Sequence, residues 1–195
     1  MMISSPMANA VKFGTYSYGD FRNCTVRDCV IKDTRHAAIA VEVVDGGVAE
    51  NIRFERIEVK DAGSAFFIVL GDRGNIPDWG EQRMGSIRGI VFDDISVEGL
   101  SRNYGTYISG FVQDGKKYPV ADVVFKNVKA EYRGGIASVP PVPPEYPATL
   151  YPECDMFGVL PASAYFLRHT ENVFFDNCKT LMLEADAQED TLFIE

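Results

Sequence analysis

The chain has 195 residues, 46% of them hydrophobic, which is enough for one sizeable core and ordinary for a globular protein. A formal net charge of −9 argues against nucleic acid or an anionic membrane surface as partner. No apolar run reaches membrane-spanning length, and the start Met-Met-Ile-Ser-Ser-Pro-Met carries no visible signal peptide.

Residues 3–21 read as the end of one structural unit, with Ala10, Val11 and Phe13 apolar and a turn at Tyr18-Gly19-Asp20. A recurring figure then begins. Cys24, Val26, Cys29 and Ile31 have a spacing of two, three, two, which fits neither a helix nor one flat strand. Two short strands joined by a corner do fit. The figure returns at Ile52, Phe54, Ile57 and Val59, at Ile90, Phe92, Ile95 and Val97, and at Val123, Phe125, Val128 and Ala130. It returns more loosely at Val173, Phe175 and Cys178. The corner residues are Asp28, Arg56, Asp94, Asn127 and Asn177, at intervals of 28, 38, 33 and 50 residues. Asn and Asp tolerate a left-handed backbone at a tight bend. Units that cannot bury an apolar side alone, repeated irregularly, predict a solenoid. Because they are nearly all strand, the predicted fold is all-β, a parallel β-helix of about five coils forming one domain over 1–195.

Each unit also carries its closing strand. In the second, Ile39, Val41 and Val43 face in, so Ala40 and Glu42 face out, and Asp45-Gly46-Gly47 closes the turn. In the third, Ala65 to Leu70 is the last strand, before a polar loop 71–85 with the only Trp, Trp79. In the fourth it is Tyr107 to Ser109. Segment 134–164 then holds Pro140, Pro141, Pro143, Pro144, Pro147, Pro152 and Pro161, which excludes a central strand. Interleaved Tyr146, Leu150, Tyr151, Met156, Phe157 and Leu160 are candidates to anchor it on the barrel. The pattern resumes at Tyr165-Phe166-Leu167. It ends in the acidic run 184–190 and the apolar Thr191 to Ile194, a tail that caps or pairs with the last coil.

Cys24, Cys29 and Cys178 occupy inward positions and Cys154 a loop; all four are expected to be free, buried and inert. No Cys-x-x-Cys or His cluster suggests zinc, and no cofactor or metal is expected.

Several stretches resemble the later coils of glycoside hydrolase family 28, the polygalacturonases and their relatives in the pectin-lyase-like superfamily. They are Asn23-Cys-Thr-Val, the run 46–59, Phe67-Ile-Val-Leu-Gly-Asp-Arg-Gly, Gly85 to Phe92, Tyr151 to Ala162 and Phe166-Leu-Arg-His. The resemblance covers roughly 3–195. It implies a right-handed parallel β-helix acting on pectic or related plant polysaccharide by inverting hydrolysis, in which one carboxylic acid protonates the glycosidic oxygen and a carboxylate activates water. The family takes these groups from Asn-Thr-Asp and Gly-Asp-Asp motifs. Neither occurs here, and both lie upstream of the coils that this chain resembles. The resemblance therefore implies a C-terminal portion lacking the N-terminal coils, with no catalytic residue and no activity in isolation. The alternative is a non-catalytic β-helix that binds carbohydrate or serves as a scaffold. An extracytoplasmic location is implied by the resemblance alone.

Matched onto the family's binding motifs, the Gly-His-Gly histidine falls near Asn9, and the Arg-Ile-Lys motif aligns with Ala40-Val41-Glu42. An anion thus replaces a substrate-gripping cation. That argues against ordinary polygalacturonate as substrate, since Glu42 would repel a uronate unless protonated, and leaves a neutral sugar or a different subfamily chemistry open. Asn9, Lys12, Glu42, Asp45 and Trp79 are the candidate substrate-binding residues. For Glu42 the competing reading is a solvated carboxylate on an outward strand position, and for Lys12 a surface lysine. Trp79, with Arg73 and Arg83 nearby, either stacks on a sugar or pins its loop. His36 and His169 are read as structural or surface residues. The first coil would leave an uncapped edge, predicting a homo-oligomer through that end or another segment folded over it.

Overall fold

The computed structural model describes residues 1–188 and 190–195, and it is almost entirely β. The strands are β1 (Met2–Ser5), β2 (Val11–Phe13), β3 (Phe21–Val43), β4 (Val48–Leu70), β5 (Ser86–Leu100), β6 (Thr106–Ser109), β7 (Phe111–Gln113), β8 (Lys116–Tyr118), β9 (Val120–Tyr132), β10 (Tyr165–Arg168), β11 (Thr170–Asp176), β12 (Lys179–Met182) and β13 (Leu192–Ile194). All but β7 and β8 join one curled sheet whose strand pairs are parallel. The separate antiparallel hairpin β7–β8 turns at Asp114-Gly115, where both residues have positive φ (52° and 75°).

The five recurring segments lie side by side. Cys29 pairs with Ile57, Ile57 with Ile95 and Ile95 with Val128. The corners have left-handed backbone, with φ of 57° at Asp28, 51° at Arg56, 56° at Asp94, 53° at Asn127 and 51° at Asn177. A second row of bends, absent from the sequence reading, stands at Asn23, Asn51, Gly89, Asp122 and Asn172, with φ between 53° and 66°. The amide of Asn51 donates to Asn23 Oδ1 at 2.7 Å, and that of Asn172 to Asp122 Oδ1 at 2.9 Å. The bend residues thus satisfy one another from strand to strand, where the distorted backbone leaves polar groups to be paired.

Inward positions fill the core. Phe54, Phe92, Phe125 and Phe175 stack face to face at centroid separations of 5.0, 4.8 and 5.1 Å. Each such pair is worth about 0.5–1.5 kcal/mol beyond its burial. Ile39, Val41 and Val43 join this core. Ala37 and Ala40 face the other way, into a second apolar cluster with Phe67, Val69, Tyr107, Tyr146, Cys154, Leu160 and Phe166. Segment 134–164 therefore lies over the outer face of β3, β4, β6 and β10. Buried Arg168 holds it there, donating to the carbonyl oxygens of Pro143 and Pro144 at 2.9 Å each. Tyr146 and Leu160 are buried anchors, whereas Leu150, Tyr151 and Met156 are exposed.

At one end of the sheet, β1 and β2 pair with residues 30–34 and 39–41 of β3. Among the described pairings, Phe21–Arg27 bonds only to β4, so this edge stands open. At the other end, β13 pairs with β10, so the apolar tail adds a strand. Cys29 and Cys154 are buried; Cys24 and Cys178, near the two ends, are only half-buried, and all four thiols are free.

Candidate functional site

Gly14 sets the local geometry. With φ at 124°, a Cβ there would sit 2.2 Å from the carbonyl oxygen of Glu42. Only glycine lets the chain leaving β2 come so close to β3. That approach brings Thr15 onto Glu42, its Oγ1 donating to Oε2 at 2.7 Å.

Glu42 does point to the outer face, but it is not solvated: its side chain is 0% exposed, because segment 134–164 lies over it. Lys12 Nζ lies 2.8 Å from Glu42 Oε2, and its two remaining donor positions go to Tyr151 OH at 3.1 Å and Glu153 Oε1 at 3.2 Å. The lysine stands 4.7 Å from the centre of the Tyr151 ring. Asn9 is buried; its Oδ1 accepts from the Ala37 amide at 2.8 Å, which aims its Nδ2 at Glu153 Oε2 (2.9 Å) and Glu42 Oε1 (3.4 Å). Two carboxylates therefore share one ammonium and one amide.

Burial pushes the Glu42 carboxyl up to about 7, against the opposing pull of the Lys12 charge and the hydrogen bonds from Lys12 and Thr15. Burial disfavours the Lys12 charge too, but Glu42, Tyr151 and Glu153 outweigh it and hold the ammonium above its ordinary value. Lys12 is accordingly a fixed cation, and Glu42 is the group whose charge state changes near neutrality. Burial likewise pushes the neighbouring Cys154 thiol well up, which makes it a poor nucleophile.

Asp45 forms a separate anchor. Its buried carboxylate takes the Arg73 guanidinium in two bonds (2.9 and 2.5 Å) and the amides of Ser17 and Asn75 at 3.0 Å. It ties loop 71–85 to the turn after β2 and has no free face for a ligand. Trp79 is not brought to the Lys12 group. It is 81% exposed, and its ring makes a T-shaped contact with Tyr18, 5.4 Å between centroids. Of the two arginines near it in sequence, Arg73 is held by Asp45 and Arg83 lies over the Tyr18 ring.

The sequence reading did not bring Thr15, Tyr151 or Glu153 to this site, and it read His36 as a structural or surface residue. Its imidazole stands 3.9 Å from both Glu153 and Asp155, with Nδ1 buried and unbonded. Thr15 follows Gly14, and Tyr151 and Glu153 lie in a Tyr-Pro-Glu run, but nothing in local spacing places that run across β2. A groove of about 500 Å³ lies elsewhere, lined by Arg56, Glu58, Asp94, Ser96, Asn127 and Lys129, and holds none of the predicted site residues. The buried charges gather under segment 134–164, which makes that the stronger candidate. Among the described residues, no group of three His, Cys, Asp or Glu side chains is arranged to hold a metal ion. Compared with protein-family models, with characterised proteins and with solved structures, the chain matches none.

Proposed function

We propose that this chain is the later part of a right-handed parallel β-helix of the family 28 kind, and that it binds pectic or related plant polysaccharide without cleaving it. The observation that carries this reading is the Asn9–Lys12–Glu42 group. It lies on the outer face of β2 and β3, where the resemblance puts the family's substrate-gripping residues. The replacement of a cation by Glu42 is offset by Lys12 on the adjacent strand, so a positive group is retained there. The side-by-side register of five bent segments supports the β-helix reading.

Glu42 in this reading positions Lys12 and carries no bond-breaking role, because segment 134–164 shields it from any substrate. The open edge Phe21–Arg27 supports the further reading that a second copy or another segment pairs there. Glycan-array binding and reducing-sugar release on polygalacturonate, rhamnogalacturonan and arabinan test the proposal. The expected outcome is binding without release, lost in Lys12→Met. Rapid hydrolysis by the chain alone would overturn the non-catalytic reading. A non-carbohydrate scaffold is the alternative if no glycan binds.

A further inference from the structure

Glu153, with Tyr151, reaches the Lys12 group from a different part of the chain than Asn9, Thr15 and Glu42. Its carboxylate takes one bond from Lys12 Nζ (3.2 Å) and one from Asn9 Nδ2 (2.9 Å). Both donors are oriented without it. Lys12 is held by fully buried Glu42, and Asn9 by the Ala37 amide. Two fixed donors, one charged, aimed at one carboxylate make an anion receptor. Here the receptor is filled by the protein itself.

The segment that brings Glu153 is unevenly fastened. Its flanks are tied down by Arg168 at Pro143 and Pro144, and by buried Tyr146 and Leu160. Between them Leu150, Tyr151 and Met156 are 48%, 53% and 40% exposed, while Cys154 is 4% exposed against the outer face of the sheet. Phe157, stacked on Tyr107 at 4.0 Å, closes the far flank, so the stretch between the anchors is 150–156.

We propose that Glu153 is a built-in competitor, and that a carboxylate-bearing ligand displaces it from Lys12 and Asn9, lifting residues 150–156. The exchange replaces one carboxylate by another, so the charge balance around buried Glu42 is unchanged. Neutral ligands offer no such replacement and leave the latch closed. That the natural ligand is a sugar acid rests on the function proposed above; the latch itself rests on the geometry of Glu153.

Lifting uncovers Cys154, which gives a direct readout. N-ethylmaleimide labelling, located by peptide mass spectrometry, is measured with D-galacturonate and with D-galactose, alongside calorimetric titration of each. D-Galacturonate is expected to speed labelling of Cys154 several-fold, and D-galactose to leave it unchanged. Glu153→Ala should label rapidly without ligand and bind D-galacturonate about tenfold more tightly, the order expected for losing one charge-assisted competitor. Glu153→Gln, which keeps the side-chain volume, should fall between, and thermal melting of both variants checks that the fold survives. Lys12→Met should abolish the effect of D-galacturonate. The latch is overturned if Glu153→Ala binds no more tightly than the parent, or if D-galacturonate leaves Cys154 protected. Binding of neutral glycans with no effect of Glu153 substitution would sink the latch alone. Failure of every sugar, charged or neutral, to bind either protein would remove the carbohydrate reading as well.

Discussion

Lys12 and Glu42 form an ion pair, 2.8 Å between Nζ and Oε2, on neighbouring parallel strands where Lys12 stands in register with Ala40. The acid of this pair has no exposed surface in its side chain. Removing Lys12 would strand a buried charge, which typically costs about 3–5 kcal/mol. Lys12→Met should therefore lower stability markedly in urea unfolding above pH 7. The loss should shrink as pH falls below about 7, where Glu42 becomes neutral.

Glu42 also sets a pH dependence of its own. Its carboxyl is raised from 4.5 to about 7 in the folded chain, so between those values the native state holds a proton that the unfolded state has released. Stability from this group is fully present below about pH 4.5 and declines as pH rises toward 7. The total is about 3 kcal/mol, at 1.36 kcal/mol for each unit of pKa. Glu42→Gln should flatten that slope. Equilibrium unfolding from pH 4.5 to 8 measures it, and an unchanged slope would show that Glu42 is not the group responsible.

Gly14 is the second sensitive point. In Gly14→Ala the new methyl would lie 2.2 Å from the Glu42 carbonyl oxygen, at a φ that L-residues seldom adopt. A loss of at least about 2 kcal/mol is expected, read as a fall in melting temperature. Any glycan binding by Lys12 should weaken with it, because Thr15 would be pushed off Glu42.

The aromatic row offers a test of the stacked architecture. Phe92 touches Phe54 and Phe125 in parallel stacks at 5.0 and 4.8 Å, and also packs on Phe66. Phe92→Ala should cost about 3–5 kcal/mol, and Phe92→Leu much less. Chemical denaturation distinguishes the two. Equal, small losses would mean that the row does not stack as described.

At the bends, side-chain chemistry should matter less than backbone tolerance. Asp94 has φ 56°, a value that glycine adopts freely and valine does not. Asp94→Gly should be near neutral, and Asp94→Val should lose about 1–2 kcal/mol in the same assay.

The inward rows were legible because each obeys a two-residue alternation broken at one corner. Ile39, Val41 and Val43 point to the core as that alternation requires. The second row of bends was missed because Gly89 stands among Asn and Asp at equivalent positions, so no single residue type repeats. The hairpin β7–β8 was missed despite its Asp114-Gly115 turn, because its strands are only three residues long. Asn9 and Glu42 were singled out by matching the family's binding motifs, with Lys12 beside Asn9, and the pairing of β2 with β3 brings the three together. Glu153 arrives through a tertiary crossing, 144 residues from Asn9, that local pattern cannot reveal. The same crossing is why Glu42 was open to being read as a solvated charge.

The two rows of bends keep a constant separation in every layer, from Asn23 and Asp28 through Asn172 and Asn177. The variable lengths, including 71–85 and 134–164, all fall outside that stretch. One wall of the molecule is thus a rigid gauge, while the others accept new chain without disturbing strand register. Segments exchanged or lengthened at 71–85 would reshape that part of the surface and leave the stacking intact. Surface shape can change there without renegotiating the core.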